Sequence, residues 1–256
     1  MNVSGANILV VGGVHRLGRA LALDLAAHGA RVCASTRATG AESQAQVAAL
    51  RAAGAPAAAA VAGDVRRPAT ARQLVAAAAE ALGGLDALVY AASGPFVPTQ
   101  PQDIDEQSWD GSLDTIAKGF FFCACAAREQ FLARPAAAPG GGAAGGAIVA
   151  LTDYLGLQPW AVFAAHGAAK AAQIHLVKQL ARAWSPDGVR VCGVAPGPVD
   201  LDDDEHREAT LRAAAKAAAE RLVAPGDIGA AVRFCLETDG VTGANVVVDN
   251  GSLVMS

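Results

Sequence analysis

The chain has 256 residues, 53% of them apolar, with a formal net charge of −4 and a pI near 5.7. That much apolar residue can bury one large core, and the mild acidity gives no reason to expect a nucleic-acid partner. No run of about 18 apolar residues could span a bilayer. The N-terminus also lacks the basic-then-apolar pattern of a secreted chain, so a cytoplasmic protein without a membrane partner is expected.

In chain order, "NILVVGG" (7–13), "RVCAST" (31–36), "AAAAVAGD" (57–64) and "LDALVYAA" (85–92) read as buried strands. "GAIVALTD" (146–153), "VRVCGVAP" (189–196) and "NVVVD" (245–249) continue the series. Helical segments are predicted over 17–28, 41–53, 69–82, 108–133, 160–184 and 225–237. Apolar strands alternating with helices predict a Rossmann-like, doubly wound α/β fold, its seven parallel strands covered on both faces. The chain reads as one domain, 1–256. "RPAAAPGGGAAGGA" (134–147) is a loop between a helix and a strand. The charge run "DLDDDEHRE" (200–208) is either a solvated face or, from its place above the strand ends, a movable flap over about 198–222. The five cysteines (33, 123, 125, 192, 235) do not form a metal-binding pattern, and no metal is expected.

"VVGGVHRLGRAL" (10–21) reads as strand, glycine-rich turn and helix start. Gly12 and Gly18 let the backbone approach a pyrophosphate at a helix N-terminus, although Arg16 stands where a middle glycine is expected. The second strand ends in "STRATG" (35–40), without the acidic residue that would bind the adenosine ribose hydroxyls. Arg16 and Arg37, with hydroxyls from Ser35, Thr36 or Thr39, instead suit a 2′-phosphate and hence NADP(H). His15 is either a phosphate contact or an exposed loop residue.

With these residues in view, the chain resembles the short-chain dehydrogenase/reductase family along essentially its whole length. "GGVHRLG" is similar to the family's nucleotide loop, which implies contacts from Gly12, His15, Arg16, Leu17 and Gly18. "GDV" (63–65) resembles its adenine-contacting turn and implies Asp64 and Val65. "YAASG" (90–94) takes the place of its Asn-Asn-Ala-Gly segment, implying Ala91, Ala92 and Ser93 beside the cofactor, with Tyr90 packing nearby. "VRVCGVAPGPV" (189–199) resembles its Pro-Gly motif and implies Pro196, Gly197 and Val199. "VTGANVVVDNG" (241–251) resembles its closing strand. Within the family the nearest pattern is that of the pteridine reductases, in "HRLG", in "AAS" and in an aspartate, Asp153, at the usual serine position. Their stacking phenylalanine is matched by Phe96 in "GPFVPT" (94–99).

Three positions depart from the family. Its catalytic Asn falls at Ile116, its Ser at Asp153 and its Tyr at His166; Lys170 alone is unchanged. The resemblance implies that Lys170 holds the nicotinamide ribose, but Ile116 cannot supply the usual proton relay. A spacing of four on a helix puts His166 and Lys170 on one face. A nearby lysine cation opposes the imidazolium whereas Asp153 supports it, so Asp153 and His166 could act as an acid pair or could hold a neutral histidine as a donor. Tyr154 is a candidate relocated acid, and Tyr154 and Trp160 are candidate substrate contacts with Phe96. His28, His175 and His206 read as surface or helix residues.

The function expected is an atypical NADP(H)-dependent reductase acting on a C=N or C=O group of a small, largely apolar ring substrate. A cationic C=N group needs no strong acid beside it, which favours an imine-like or pteridine-like substrate over a simple ketone. The alternatives are a non-redox dehydratase or cyclase on the same fold, and an NADP-binding regulator in which His166 is only packed. Family resemblance implies a homotetramer or homodimer pairing through helices near 108–133 and 160–184. The apolar "IAKGFFFCACAA" (116–127) suits that interface, and would equally suit a core helix.

Overall fold

The computed structural model describes residues 1–94, 96–134, 145–201 and 207–255. Its sheet has seven parallel strands: β1 (Asn7–Val11), β2 (Arg31–Thr36), β3 (Ala58–Ala62), β4 (Ala87–Tyr90), β5 (Gly146–Leu151), β6 (Val189–Pro196) and β7 (Asn245–Val248). The order is β3-β2-β1-β4-β5-β6-β7, so the chain winds outward from β1, then crosses back and continues on the other side. All seven predicted strands are present, in a Rossmann-like α/β fold.

The helices are α1 (Arg16–Ala27), α2 (Ala41–Ala52), α3 (Pro68–Leu82), α4 (Glu106–Leu113), α5 (Gly119–Ala133), α6 (Ala164–Trp184), α7 (Arg207–Ala214) and α8 (Pro225–Glu237). Alternate strand residues feed two cores. Ile8 and Val10 of β1 join Leu21, Leu25, Ile228 and Val232 on one face of the sheet. Leu9 and Val11 join Leu74, Leu82, Phe120 and Val177 on the other. The period of two is what a twice-covered parallel strand requires. Phe120, Cys123, Ala124 and Ala127 of α5 are buried in the second core, with Phe121 and Phe122 packed against it, so the apolar run 116–127 is core helix.

Several boundaries differ from those read in the sequence. Strands β1, β3, β4 and β5 stop two residues early, because the residues that follow turn off the sheet into the loops above it. The helix predicted over 108–133 begins at Glu106, capped by Asp105, whose side chain accepts from the Ser108 amide at 2.8 Å. It is then interrupted by a π-turn, Asp114–Lys118. There the Tyr90 hydroxyl donates to the Thr115 carbonyl at 2.5 Å, a side chain inserted into the backbone ladder. Tyr90 is fully buried and therefore braces this helix, and Ile116 sits in the middle of the π-turn. The helix predicted over 160–184 begins only at Ala164, since the residues before it pair with the loop after β4: Thr99 N–H donates to the Val162 carbonyl at 2.8 Å.

Parallel sheets place ligands outside the carboxyl ends of the strands, where the winding reverses. Here that point lies between β1 and β4. The glycine-rich turn leaves β1, the segment Ala91–Gly94 leaves β4, and the Ala91 amide donates to the Val11 carbonyl at 2.9 Å. The candidate flap leaves β6 and returns through a bridge between Val199 and Val223, with Asp200 N–H donating to Val223 O and Val223 N–H to Pro198 O. Its two ends are thus pinned together. Asp202, Asp203, Asp204 and His206 lie outside the described residues, as do 135–144 of the glycine-rich loop.

Candidate active site

The glycine-rich turn is shaped by close backbone approaches. Gly12 has φ +77°, and a Cβ there would lie 3.0 Å from the Ala92 backbone; one on Gly18 would lie 2.1 Å from the Gly12 carbonyl. Arg16, at φ +47°, keeps the left-handed conformation of the glycine it replaces, at a cost of about 1–2 kcal/mol for a residue with a Cβ. Retained backbone strain of this kind marks a functional turn more often than an idle one. The turn opens α1, whose first amides receive no side-chain cap. Leu17 packs its half-buried side chain against the core beneath.

Ser35 is not a phosphate-facing hydroxyl. It is buried beneath the turn, where its Oγ accepts from the Gly12 amide at 3.1 Å, because the last residues of β2 point alternately into the core and out of it. Arg37 and Thr39 lie beyond the strand and are exposed. His15 is exposed, its Nε2 3.6 Å from Glu42. Asp64 is gripped by Arg66 (2.6–3.0 Å), and this hydrogen-bonded guanidinium holds its carboxyl below the usual range, while Val65 beside it is buried. Ala91 and Ala92, in the loop after β4, lie against the glycine turn, and Ser93 beyond them is exposed. Pro196 ends β6 and Gly197 packs so tightly on Asp249 that a Cβ would come within 2.8 Å of it.

At the other end of the crevice, residues from β5 and α6 converge. Asp153 caps a short 3₁₀ turn, Tyr154–Gly156, its Oδ1 accepting from the Leu155 amide at 2.9 Å. Its Oδ2 lies 3.2 Å from Nε2 of His166. His166 is only 5% exposed, in the first turn of α6, and its Nδ1 is buried without a partner among the described residues. One helical turn on, Lys170 donates to the Leu151 carbonyl at 2.6 Å. Its burial brings the ammonium down to about 8, against the pull of Asp153 in the other direction. The 3₁₀ turn presses on α6 so closely that a Cβ on Gly156 would lie 2.8 Å from the Lys170 backbone. Position and register of the three candidate groups are therefore set by one tight contact.

Aromatic rings wall this pair. Phe96 stands edge-on to His166 at 4.9 Å and stacks on Phe163 at 4.4 Å. Trp160 lies 6.3 Å from Phe163 and 5.8 Å from Tyr154. Tyr154 is buried, and that burial, with the Asp153 and Asp249 carboxylates nearby, raises its phenol well above the usual value. Phe96, Phe163, Trp160 and Tyr154 thus form one run of neighbouring rings. Phe163 was missed; it looked like the interior of a predicted helix but lies just before that helix begins.

The chain and its strand order match known proteins. A family model described as enoyl-(acyl carrier protein) reductase matches residues 11–252. The chain belongs to the short-chain dehydrogenase/reductase family. It is 31% identical to 3beta-hydroxysteroid dehydrogenase 1 of Eggerthella lenta, over 98% of this chain and 94% of the other. It is also 31% identical to L-rhamnose 1-dehydrogenase (NAD(P)(+)) of a Sphingomonas species, over 98% of both. Among solved structures, a short-chain dehydrogenase of Burkholderia cenocepacia in complex with NADP superposes with a TM-score of 0.85 at 30% identity, over 99% of this chain and all of the other. A dehydrogenase/reductase of Sinorhizobium meliloti gives 0.84 at 30% identity, over 98% and 97%. This short-chain dehydrogenase/reductase is thus an oxidoreductase of the family type. Among the described residues no cluster of His, Cys, Asp or Glu could hold a metal ion, and no helix is long and apolar enough to cross a membrane.

Proposed function

We propose that this chain is an NADP(H)-dependent reductase of a C=N or C=O group in a small ring substrate, from the pteridine reductase-like branch, with Asp153 and His166 as its acid pair. The observation that carries the reading is the buried 3.2 Å contact between these side chains, one helical turn from Lys170 and walled by Phe96 and Phe163. The cofactor assignment draws on the close-approach turn at Gly12 and Gly18, the left-handed Arg16, the exposed Arg37, and the NADP bound by the Burkholderia neighbour.

When bound, the nicotinamide supplies hydride. Lys170, still a cation at neutral pH and fixed by the Leu151 carbonyl, binds the ribose hydroxyls. For a neutral imine, the Asp153–His166 pair delivers one proton to nitrogen as the new C–H bond forms. An iminium needs no proton, because the C=N electron pair returns to nitrogen; the Asp153 carboxylate and the ring faces instead stabilise its positive charge. Buried Ile116 offers no polar group to a ketone-type relay. This asymmetry favours C=N over an unactivated ketone. The excursion between Val199 and Val223 acts as the flap over the site.

The test is a screen of cyclic imines, dihydropterins, quinones and simple ketones with NADPH, following loss of nicotinamide absorbance. Turnover of the C=N compounds ahead of the ketones is expected. Tight NADPH binding without turnover of any of them would overturn the reading in favour of a binding protein or a non-redox enzyme.

A further inference from the structure

Beyond the acid pair, the aromatic wall ends in a cavity of about 220 Å³ lined by Tyr154, Gln158, Trp160, Lys216, Ser252 and Met255, with Ala213. A cavity of about 150 Å³ holds benzene, so this one has room for a ring and a small substituent. Its polar lining is one-sided. Lys216 carries the only charge among the lining side chains and has no ion-pair partner among the described residues. The Tyr154 hydroxyl and the Gln158 amide make no side-chain hydrogen bond among the described residues. Tyr154 keeps its proton, because burial first and then Asp153 and Asp249 disfavour the phenolate, so it is available as a donor. Ser252 already donates to the Asp249 carbonyl at 2.8 Å. A cation and two further donors on an aromatic wall, with no acid among the lining side chains, suit a planar anion.

We propose that this cavity holds the carboxylate-bearing end of an aromatic or heteroaromatic substrate. The ring lies against Trp160 and Tyr154, and the carboxylate accepts from Lys216, Tyr154 and Gln158. Lys216 is then a specificity-determining residue contributed by the segment that follows α7. What the acid pair does to the other end of that molecule rests on the reductase reading above; recognition of the carboxylate does not.

The test is calorimetric titration of the full chain, alone and with saturating NADP+, with 2-naphthoate and with its neutral counterpart 2-naphthamide. A charge-assisted contact predicts roughly tenfold tighter binding of the naphthoate, diminishing with added salt. Lys216→Met should erase the preference while leaving naphthamide binding unchanged, and Tyr154→Phe should narrow it. Lys216 is exposed, so a thermal melt should show the variant folded as wild type. Equal affinity for the two probes, or a preference that survives Lys216→Met, would overturn the proposal. Because no turnover is measured, a failed NADPH screen with the naphthoate preference intact removes the reductase reading and leaves the carboxylate site; the reverse result removes only the site.

Discussion

The two ends of the crevice are held in shape by different forces. At the cofactor end the geometry is made of backbone: Gly12 and Gly18 approach neighbouring main chain too closely for any side chain, and Arg16 keeps a glycine's conformation at a cost. At the chemical end the geometry is made of side chains from α6 and the turn after β5, with half-buried Asp153 beside buried His166 and Lys170. A backbone-built site tolerates little change in residue type. A side-chain-built site can change its chemistry while the frame stays intact, which is how the proposed reading takes Ile116, Asp153 and His166.

The sharpest way to break this contrast is at the chemical end. His166→Phe and Asp153→Asn should each lower turnover by about 10²–10⁴-fold, the usual worth of a positioned acid. The double variant should cost little more than the worse single change, because groups acting as one unit are not additive. NADPH affinity should survive both. Full activity of His166→Phe in steady-state assays would reduce the histidine to packing.

The next largest effect concerns the burial of Lys170. Its folded value, about 8, lies below the ordinary 10.5. Between those values the unfolded chain holds a proton that the folded chain has shed, so the lysine's contribution to stability rises with pH across that window. Relative to Lys170→Met, the wild-type chain should gain on the order of 2 kcal/mol between pH 7 and pH 10 in urea unfolding. A difference that stays flat with pH would mean that the ammonium is solvated in the folded protein.

The cofactor end gives a predicted change of similar size. NADPH should bind more tightly than NADH by roughly 1.5–3 kcal/mol, the range for a charge-assisted phosphate contact. Arg37→Asp should move the preference towards NADH. Equal dissociation constants for the two cofactors in the wild-type chain would remove the phosphate assignment, and the contrast between the two ends would then rest on the glycines alone.

Much of the frame was legible in the sequence because it depends on local pattern. Apolar strands at regular spacing, glycines before a helix and a His-x-x-x-Lys spacing each have one cheap structural solution. Boundaries were less legible. The π-turn at Asp114–Lys118 depends on the hydroxyl of Tyr90, which is distant in sequence, and the delayed start of α6 depends on pairing with Thr99. Ser35 was misread because a hydroxyl at a strand end can point to ligand or to core, and only the Gly12 amide decides between them. Phe163 carried no signal beyond its apolar character, and Lys216 none at all.

By itself, then, the sequence determined the strand order class, the place of the nucleotide turn and the identities of the altered chemical groups, since these follow from periodicity, backbone sterics and residue type. Only the tertiary structure decided that Asp153 meets His166 at hydrogen-bond distance, that Phe96 stands against the histidine with three further rings running on from it, and that a lysine from a segment far along the chain lines a cavity at the end of those rings. Those are contacts between residues distant in sequence, and their geometry is fixed by how the helices and loops pack above the sheet, which no local pattern encodes.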